Sequence, residues 1–391
     1  MPPLLVIAAL GTAAITSSGG IFGGALRGAA LKFEVGLSTG AKLPLLSWRL
    51  GCKAWHMNNP RLILPADLRL IGQDPTVLVR RCNKGELVRV RRGAYTKSTD
   101  WNELGLLSRY GLQAAAFQAL TPRQPVFTHA SAALLWGLWI VGVPRRLHVV
   151  TDVVTSGRSK NGVIRHVGSL EQNTVRCGPF LLTNKAVTTM ALIKELSFPY
   201  AVAVCDSALR NPDDRQAVNQ FAVADTVRTA HQPLWVTDGP QGPAVPVGDL
   251  LNAAEHLASR AARERTLAVI NFASALSGSA GESISRAKMH QLGFPAPVLQ
   301  KQYTLRDGSD ASVDFWFKEQ NLAGEFDGKT KYLRADWGGG SMEERLWKEK
   351  RREDDIRGQG VGFVRWTWHE LRNREQFAAL LRRAGLPQDG S

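Results

Sequence analysis

The stretch SVDFWFKEQNLAGEFDGKTKY, Ser312–Tyr332, reads as two apolar strands around a short polar turn, and it sets three acids, Asp314, Glu325 and Asp327, within them. If Glu319-Gln320 is a two-residue loop, Lys318 faces Asn321, and counting back along the ladder puts Asp314 directly opposite Glu325. Their β-carbons would then lie about 4.5–5.5 Å apart on one face. Two like charges so placed are unfavourable and call for a compensating cation; Mg²⁺ suits, because it binds through one or two carboxylates and keeps several waters. The period of two sends Asp327 and Lys329 to the same side as Glu325. A three-residue loop that took in Asn321 would slip the register by one, since Glu-Gln lacks the positive-φ residues such hairpins favour. An ordinary strand ending in an Asp327-Gly328 turn is the alternative for the same text.

The flanks extend the pattern. AGESISRAKMHQLG predicts a helix closed by Gly293, PVLQKQYTLR a strand, MEERLWKEKRREDDIRGQG a long charged helix, VGFVRWTW a buried strand, and HELRNREQFAALLRRAG a final helix. The order is αβββαβα. Glu282, on the first of these helices, is a candidate further ligand or an anchor for the base that activates water. Lys348, Lys350, Arg351 and Arg352 on the charged helix are placed to track a DNA backbone, or else to form i,i+4 ion pairs.

The rest of the chain supplies a setting. Its 391 residues suggest two or three folded units, and 49 Lys+Arg against 34 Asp+Glu give a formal charge of +15, which favours a polyanionic partner. From Arg61 to Tyr95 the order is helix, turn, helix, basic ribbon, as in a winged helix-turn-helix, with Asp74 as N-cap and Pro75 at the first helical position. Arg80, Arg81 and Lys84 mark the second helix and Arg89, Arg91 and Arg92 the ribbon, a cluster suited to DNA phosphates. The middle mixes helices such as HASAALLWGL with strands such as RRLHVVTD and GVIRHVG, and has neither a Gly-rich phosphate loop nor a nucleophile-base spacing. There His129, His148 and His166 read as isolated structural histidines. Four scattered cysteines without metal spacing suggest neither a zinc site nor a disulfide framework, and reduced thiols in a cytosol. PLLVIAALGTAAI, Pro3–Ile15, has no basic residues before it and is short for a membrane span, so residues 1–56 are expected to be a poorly ordered extension, with Met57 a candidate natural start.

The text from Ser279 to Leu371, with GES, VDFWF, GEFDGKTKY, EKRREDDIR and VRWTW, resembles the PD-(D/E)XK nuclease superfamily, and within it the small domains related to very-short-patch repair endonucleases. Pro60 to about Arg210 resembles the AbiEi-type antitoxins of type IV toxin-antitoxin systems. The resemblance implies that Asp314 and Glu325 bind Mg²⁺ or Mn²⁺ and that Glu282 matches the helical glutamate. The usual lysine two positions after the second acid is here Asp327; Lys329 follows on the same face.

The expected fold class is therefore α+β multidomain: a poorly ordered 1–56, a winged helix-turn-helix at 57–100, an antitoxin-like mixed α/β middle domain at 101–232, a linker and helix at 233–272, and a restriction-endonuclease-like domain at 273–391. The expected function is a cytoplasmic DNA-binding protein with a Mg²⁺-dependent nuclease-like domain that hydrolyses DNA phosphodiesters in repair or defence, with Glu282, Asp314, Glu325, Asp327 and Lys329 as its site. The alternative is a non-catalytic transcriptional autoregulator or antitoxin with a cognate toxin. Neither reading places the chain in a membrane.

Overall fold

Pro65 at the first turn and Gly72, with φ +70°, just past the last bound a short first helix, α1 (Pro65–Leu70), whose start is closed by Asp67 Oδ2 accepting from Leu64 N at 3.0 Å. In this computed structural model the described residues are 61–153, 159–170, 173–177, 180–211, 242–328 and 342–389. All lie in the larger of two contact units, Leu46–Ser391. The extension expected at 1–56 falls outside them. The second helix, α2 (Thr76–Asn83), begins one residue later than the sequence suggests, with Pro75 as its cap residue. Asp74 still serves the helix start, because its Oδ1 accepts from Thr76 N at 2.9 Å. β1 (Leu87–Arg91) and β2 (Ala94–Lys97) follow as an antiparallel ribbon turning at Gly93, φ +88°. Leu68, Leu78, Leu87 and Tyr95 form the small core beneath these elements.

The chain is mixed α+β with three sheets. After α3 (Ser98–Glu103) and α4 (Leu106–Leu120), a six-stranded sheet forms from β3 (Val126–Phe127), β4 (Leu147–Thr151), β5 (Ser159–Lys160), β6 (Val163–Val167), β7 (Thr174–Cys177) and β8 (Phe180–Thr183), in the order β5-β6-β4-β3-β8-β7. Helices α5 (His129–Trp136), α6 (Lys185–Glu195) and α7 (Phe198–Ala208) accompany it. The helix expected within 233–272 is two helices, α8 (Val247–Glu255) and α9 (Arg260–Phe272), because Ser259 Oγ accepts from Ala262 N and starts the second afresh.

Then come α10 (Ala280–Gln291), β9 (Val298–Thr304), β10 (Asp310–Phe317), β11 (Leu322–Asp327), α11 (Met342–Arg357), β12 (Gly362–Thr367), α12 (Trp368–Arg372) and α13 (Arg374–Arg383). The last predicted helix is thus split, since Asn373 in extended backbone caps the second piece through Oδ1. The four strands run β12-β11-β10-β9, with β11 and β12 parallel and the rest antiparallel. Both faces are covered. Phe315, Phe317, Phe326 and Trp366 pack with Ile284 of α10, while Ala311, Val313 and Ala323 pack with Ile356 of α11. Ala203 of α7 shares a core with Ile284 of α10, and Leu62 shares one with Phe127. Among the described residues no helix is long and apolar enough to cross a membrane, and Cys82, Cys177 and Cys205 are free thiols.

Candidate functional site

The β10–β11 hairpin decides where the acids fall. Its turn is Lys318–Asn321, with Asn321 N donating to Lys318 O at 3.2 Å, and the left-handed residue is Asn321 itself, φ +44°. Asparagine tolerates that conformation, so Glu319 and Gln320 need not adopt it. Asn321 Nδ2 donates to Gly360 O at 3.0 Å and anchors the turn. Phe317 pairs with Leu322 and Phe315 with Gly324, the register expected from the sequence, and the pairing stops one residue short of Asp314 and Glu325.

At Asp314 the strand changes face. Ala311 and Val313 enter the core under α11, whereas Phe315 and Phe317 enter the one under α10, although all four are spaced by twos. β9 makes the same change at Gln300, which lies in register opposite Asp314 and has φ +52°. A non-glycine residue held there costs on the order of 1–3 kcal/mol, and such strain clusters at functional sites. The regular ladder between β10 and β11 ends at Phe315, and Asp314 Oδ2 accepts the next amide, Phe326 N, at 2.9 Å.

Glu325 is buried, and its compensation comes from protein. Arg352 Nη2 lies 2.6 Å from Oε1 and Arg365 Nη2 lies 2.8 Å from Oε2. Arg352 also meets Glu349 at 2.8 Å, and Arg365 meets Glu349 at 2.8 Å, Glu353 at 2.9 Å and Asp327 at 3.6 Å. Four carboxylates, Glu325, Glu349, Glu353 and Asp327, surround two guanidiniums, so the cluster stays acidic. Burial pushes the Glu325 carboxyl up to about 7, against the pull of Arg352 and with help from the Asp314 charge. Burial would also raise Glu349, but its hydrogen bond to Arg352 and the charges of Arg352 and Arg365 outweigh that and hold it at about 2.

A pH dependence follows. Glu325 ionises at a higher pH folded than unfolded, so its contribution to stability is full below about 4.5 and is lost as pH rises to about 7. Glu325→Gln keeps the shape and removes the titration. Between pH 4.5 and 8 the variant should gain on the parent by roughly 3 kcal/mol at most, from 1.36 kcal/mol per pKa unit. Urea unfolding of both at the two pH values checks it; a constant difference would show that the carboxyl does not titrate in this range.

The other expected residues fall out unevenly. Glu282 braces the start of α10, where Ser279 Oγ accepts from its amide at 3.3 Å, its own oxygens accepting from Gly278 N at 2.6 Å, Ser279 Oγ at 2.9 Å and Gln300 Nε2 at 3.1 Å. Gln300 thus connects it to the strand position facing Asp314. Lys329 lies outside the described residues. Arg352, expected on a DNA-tracking face, instead turns inward, because the buried Glu325 needs its charge; Lys348 and Arg351 stay exposed. In the ribbon Arg91 also turns in, donating to Asn161 O at 2.8 Å with its guanidinium 5.2 Å from the Phe117 ring. Arg80, Lys84, Arg89 and Arg92 are exposed, and Arg81 pairs with Glu86 at 2.8 Å.

Three partners escape the sequence reading: Arg365, Gln300 and the histidines. An arginine inside the buried strand VRWT is a signal, since an inward charge requires an acid. His129, His148 and His166 are not isolated; they converge in the middle domain. Among the described residues they are the group of three whose potential ligand atoms all lie within 4.8 Å of one another, a condition the carboxylates do not meet. Compared with known families and with curated proteins, the chain matches no family model and no curated protein.

Proposed function

We propose that the chain is a DNA-binding protein whose C-terminal sheet carries a Mg²⁺- or Mn²⁺-dependent nuclease-like site for DNA phosphodiesters, acting in repair or defence. The observation that carries this reading is the closeness of Asp314 to Glu325 where two strands change face: Asp314 accepts from the amide of Phe326, next to Glu325, and its charge helps to raise the Glu325 carboxyl. Two hard oxygen donors on adjacent strands fit a cation that keeps most of its waters. Bound there, such an ion would polarise the phosphate and supply an activated water. The chain's own residues do the rest: Arg352 and Arg365 hold Glu325 in position, and Lys348 and Arg351 on the exposed side of α11 meet backbone phosphates. At the other end, α1, α2 and the ribbon act as a winged helix, with Arg80, Lys84, Arg89 and Arg92 giving salt-sensitive grip on DNA. Free thiols at Cys82, Cys177 and Cys205 fit a protein that works in the cytoplasm.

The second reading, an autoregulator or antitoxin with a toxin partner, is favoured by one observation. Both Glu325 oxygens are already engaged by arginine. Purified full-length protein is incubated with supercoiled, linear, mismatched and branched DNA in Mg²⁺ or Mn²⁺, beside an Asp314→Ala, Glu325→Ala double variant. Cutting by the parent that is abolished in the variant is the expected result. Equal, salt-sensitive binding without cutting by either protein would leave the regulator.

A further inference from the structure

We propose that His129, His148 and His166 form a site for a transition-metal dication of the Zn²⁺ class, with Glu195 as its carboxylate ligand. The site belongs to the six-stranded sheet and is independent of the nuclease-like reading. It begins with strand order. β4 and β6 are parallel neighbours, with His148 beside Ile164 and Val150 beside His166, so both histidines project from the same face. His148 Nδ1 lies 2.9 Å from His166 Nε2. β3 adjoins β4 on the other side, and His129 follows it as the first residue of α5, with its ring centroid 3.5 Å from that of His166. His129 Nε2 lies 3.3 Å from Glu195 Oε1, at the end of α6.

The distances suit a metal. With bonds of about 2.0–2.1 Å to imidazole nitrogen and 2.0–2.2 Å to carboxylate oxygen, tetrahedral donors stand about 3.4 Å apart. The separations of 2.9 and 3.3 Å are close to this. The rings are nearly parallel, 14° between His148 and His166 and 17° between His129 and His166, so coordination requires rotation about χ2, a broad torsion for histidine. Thr128 Oγ1 is 3.2 Å from His129 Nδ1 and can accept its proton, which leaves Nε2 to face the ion. With the ring proton on Nδ1, the Nε2 lone pair and the Glu195 carboxylate both face the ion, and any proton between them leaves to solvent. The proton between His148 and His166 moves to the other nitrogen of its ring, so these rings ligate neutral.

The backbone holding these rings is built rather than incidental. His129 has φ +48°, a left-handed conformation uncommon outside glycine and asparagine. Thr128 N donates to His148 O at 3.0 Å, His148 N donates to Ser131 Oγ at 2.8 Å, and Ser131 Oγ also meets the buried Tyr110 hydroxyl at 2.5 Å. Burial and the neighbouring histidine charges hold His148 and His166 down to about 4, so both are neutral, the form that ligates, at neutral pH. Imidazole donors favour zinc, copper or nickel over Mg²⁺, which separates this site from the carboxylates in the C-terminal sheet.

The test uses full-length protein freed of metal by chelator and dialysis. Zn²⁺ is titrated calorimetrically, Co²⁺ is followed by its visible absorption, and bound metal is counted by elemental analysis. One equivalent of Zn²⁺ per chain is expected, with the intense visible bands of tetrahedral Co²⁺, undiminished by excess Mg²⁺. His148→Ala, His166→Ala should remove that equivalent, and Glu195→Ala, at a half-exposed side chain, should weaken it by at least the roughly 10–100-fold that losing an outer partner of a metal costs, while the circular dichroism stays that of the parent. Absence of stoichiometric binding by the parent, or full binding by the folded double-histidine variant, overturns the proposal.

Discussion

Arg286→Ala should destabilise the protein by about 3–5 kcal/mol, the range for leaving one half of a buried ion pair behind. Its partner, Asp206, is fully buried and accepts from Arg286 Nη2 at 3.0 and 2.9 Å, from Ser274 N at 2.7 Å and from Ser277 Oγ at 3.1 Å. Arg286 Nη1 also donates to Phe272 O at 2.6 Å, and the guanidinium lies 4.3 Å from the Phe272 ring. One side chain therefore ties α7, the end of α9 and α10 together. Burial already pushes the Asp206 carboxyl up, with Arg286 the main opposing charge. Without that charge the acid must protonate or stay ionised and unpaired, and either costs stability. Equilibrium urea unfolding measures the loss. The Asp206→Ala, Arg286→Ala double variant should lose much less than the two single losses added together, because neither charge is then stranded. A single-variant loss under about 1 kcal/mol would mean that packing, not the pair, joins these helices.

Gly281→Ala should also be damaging, against the usual direction. Alanine inside a helix normally gains roughly 0.5–1 kcal/mol over glycine. Here a β-carbon would stand 1.9 Å from Phe326 Cε1 and 2.3 Å from its Cδ1. Phe326 is buried edge-on against Trp368 at 5.0 Å, so its ring has little room to retreat. Overpacking of this kind costs typically about 1–3 kcal/mol, and a contact this short belongs at the upper end. Thermal unfolding of Gly281→Ala with and without Phe326→Leu gives the check: the smaller side chain should recover part of the loss. No loss, or no recovery, would mean that α10 can shift off the sheet. The same substitution bears on the acids, because the Phe326 amide holds Asp314.

How much of this was legible depended on whether a partner was local. The hairpin register from Phe315 to Phe317 followed from period two and one turn, both contained in about twenty residues, while the change of face at Asp314 that ends it left no mark in the pattern. The sequence could not show that Asn321, rather than Glu319 or Gln320, takes the left-handed conformation. Arg352 read as surface because it sits in a charged helix, and its burial follows from Glu325 across the sheet. The histidines were unreadable for the same reason. Residues 129, 148, 166 and 195 share no helical or metal-binding spacing, and only the strand order β6-β4-β3 brings the rings together. The signal available was faint: His148 and His166 fall at matching phases of two strands in one domain.

The change of face at Asp314 divides β10 into two packing problems. Residues 311 and 313 answer to one helical layer, 315 and 317 to the other, so a volume change in either half is absorbed by a different neighbour. The carboxylate stands at the seam and belongs to neither layer. Drift in the two hydrophobic cores can therefore proceed separately, each adjusting its own side chains, while the acid stays between the β9 pairs of Val313 and Phe315 and bonded to the Phe326 amide.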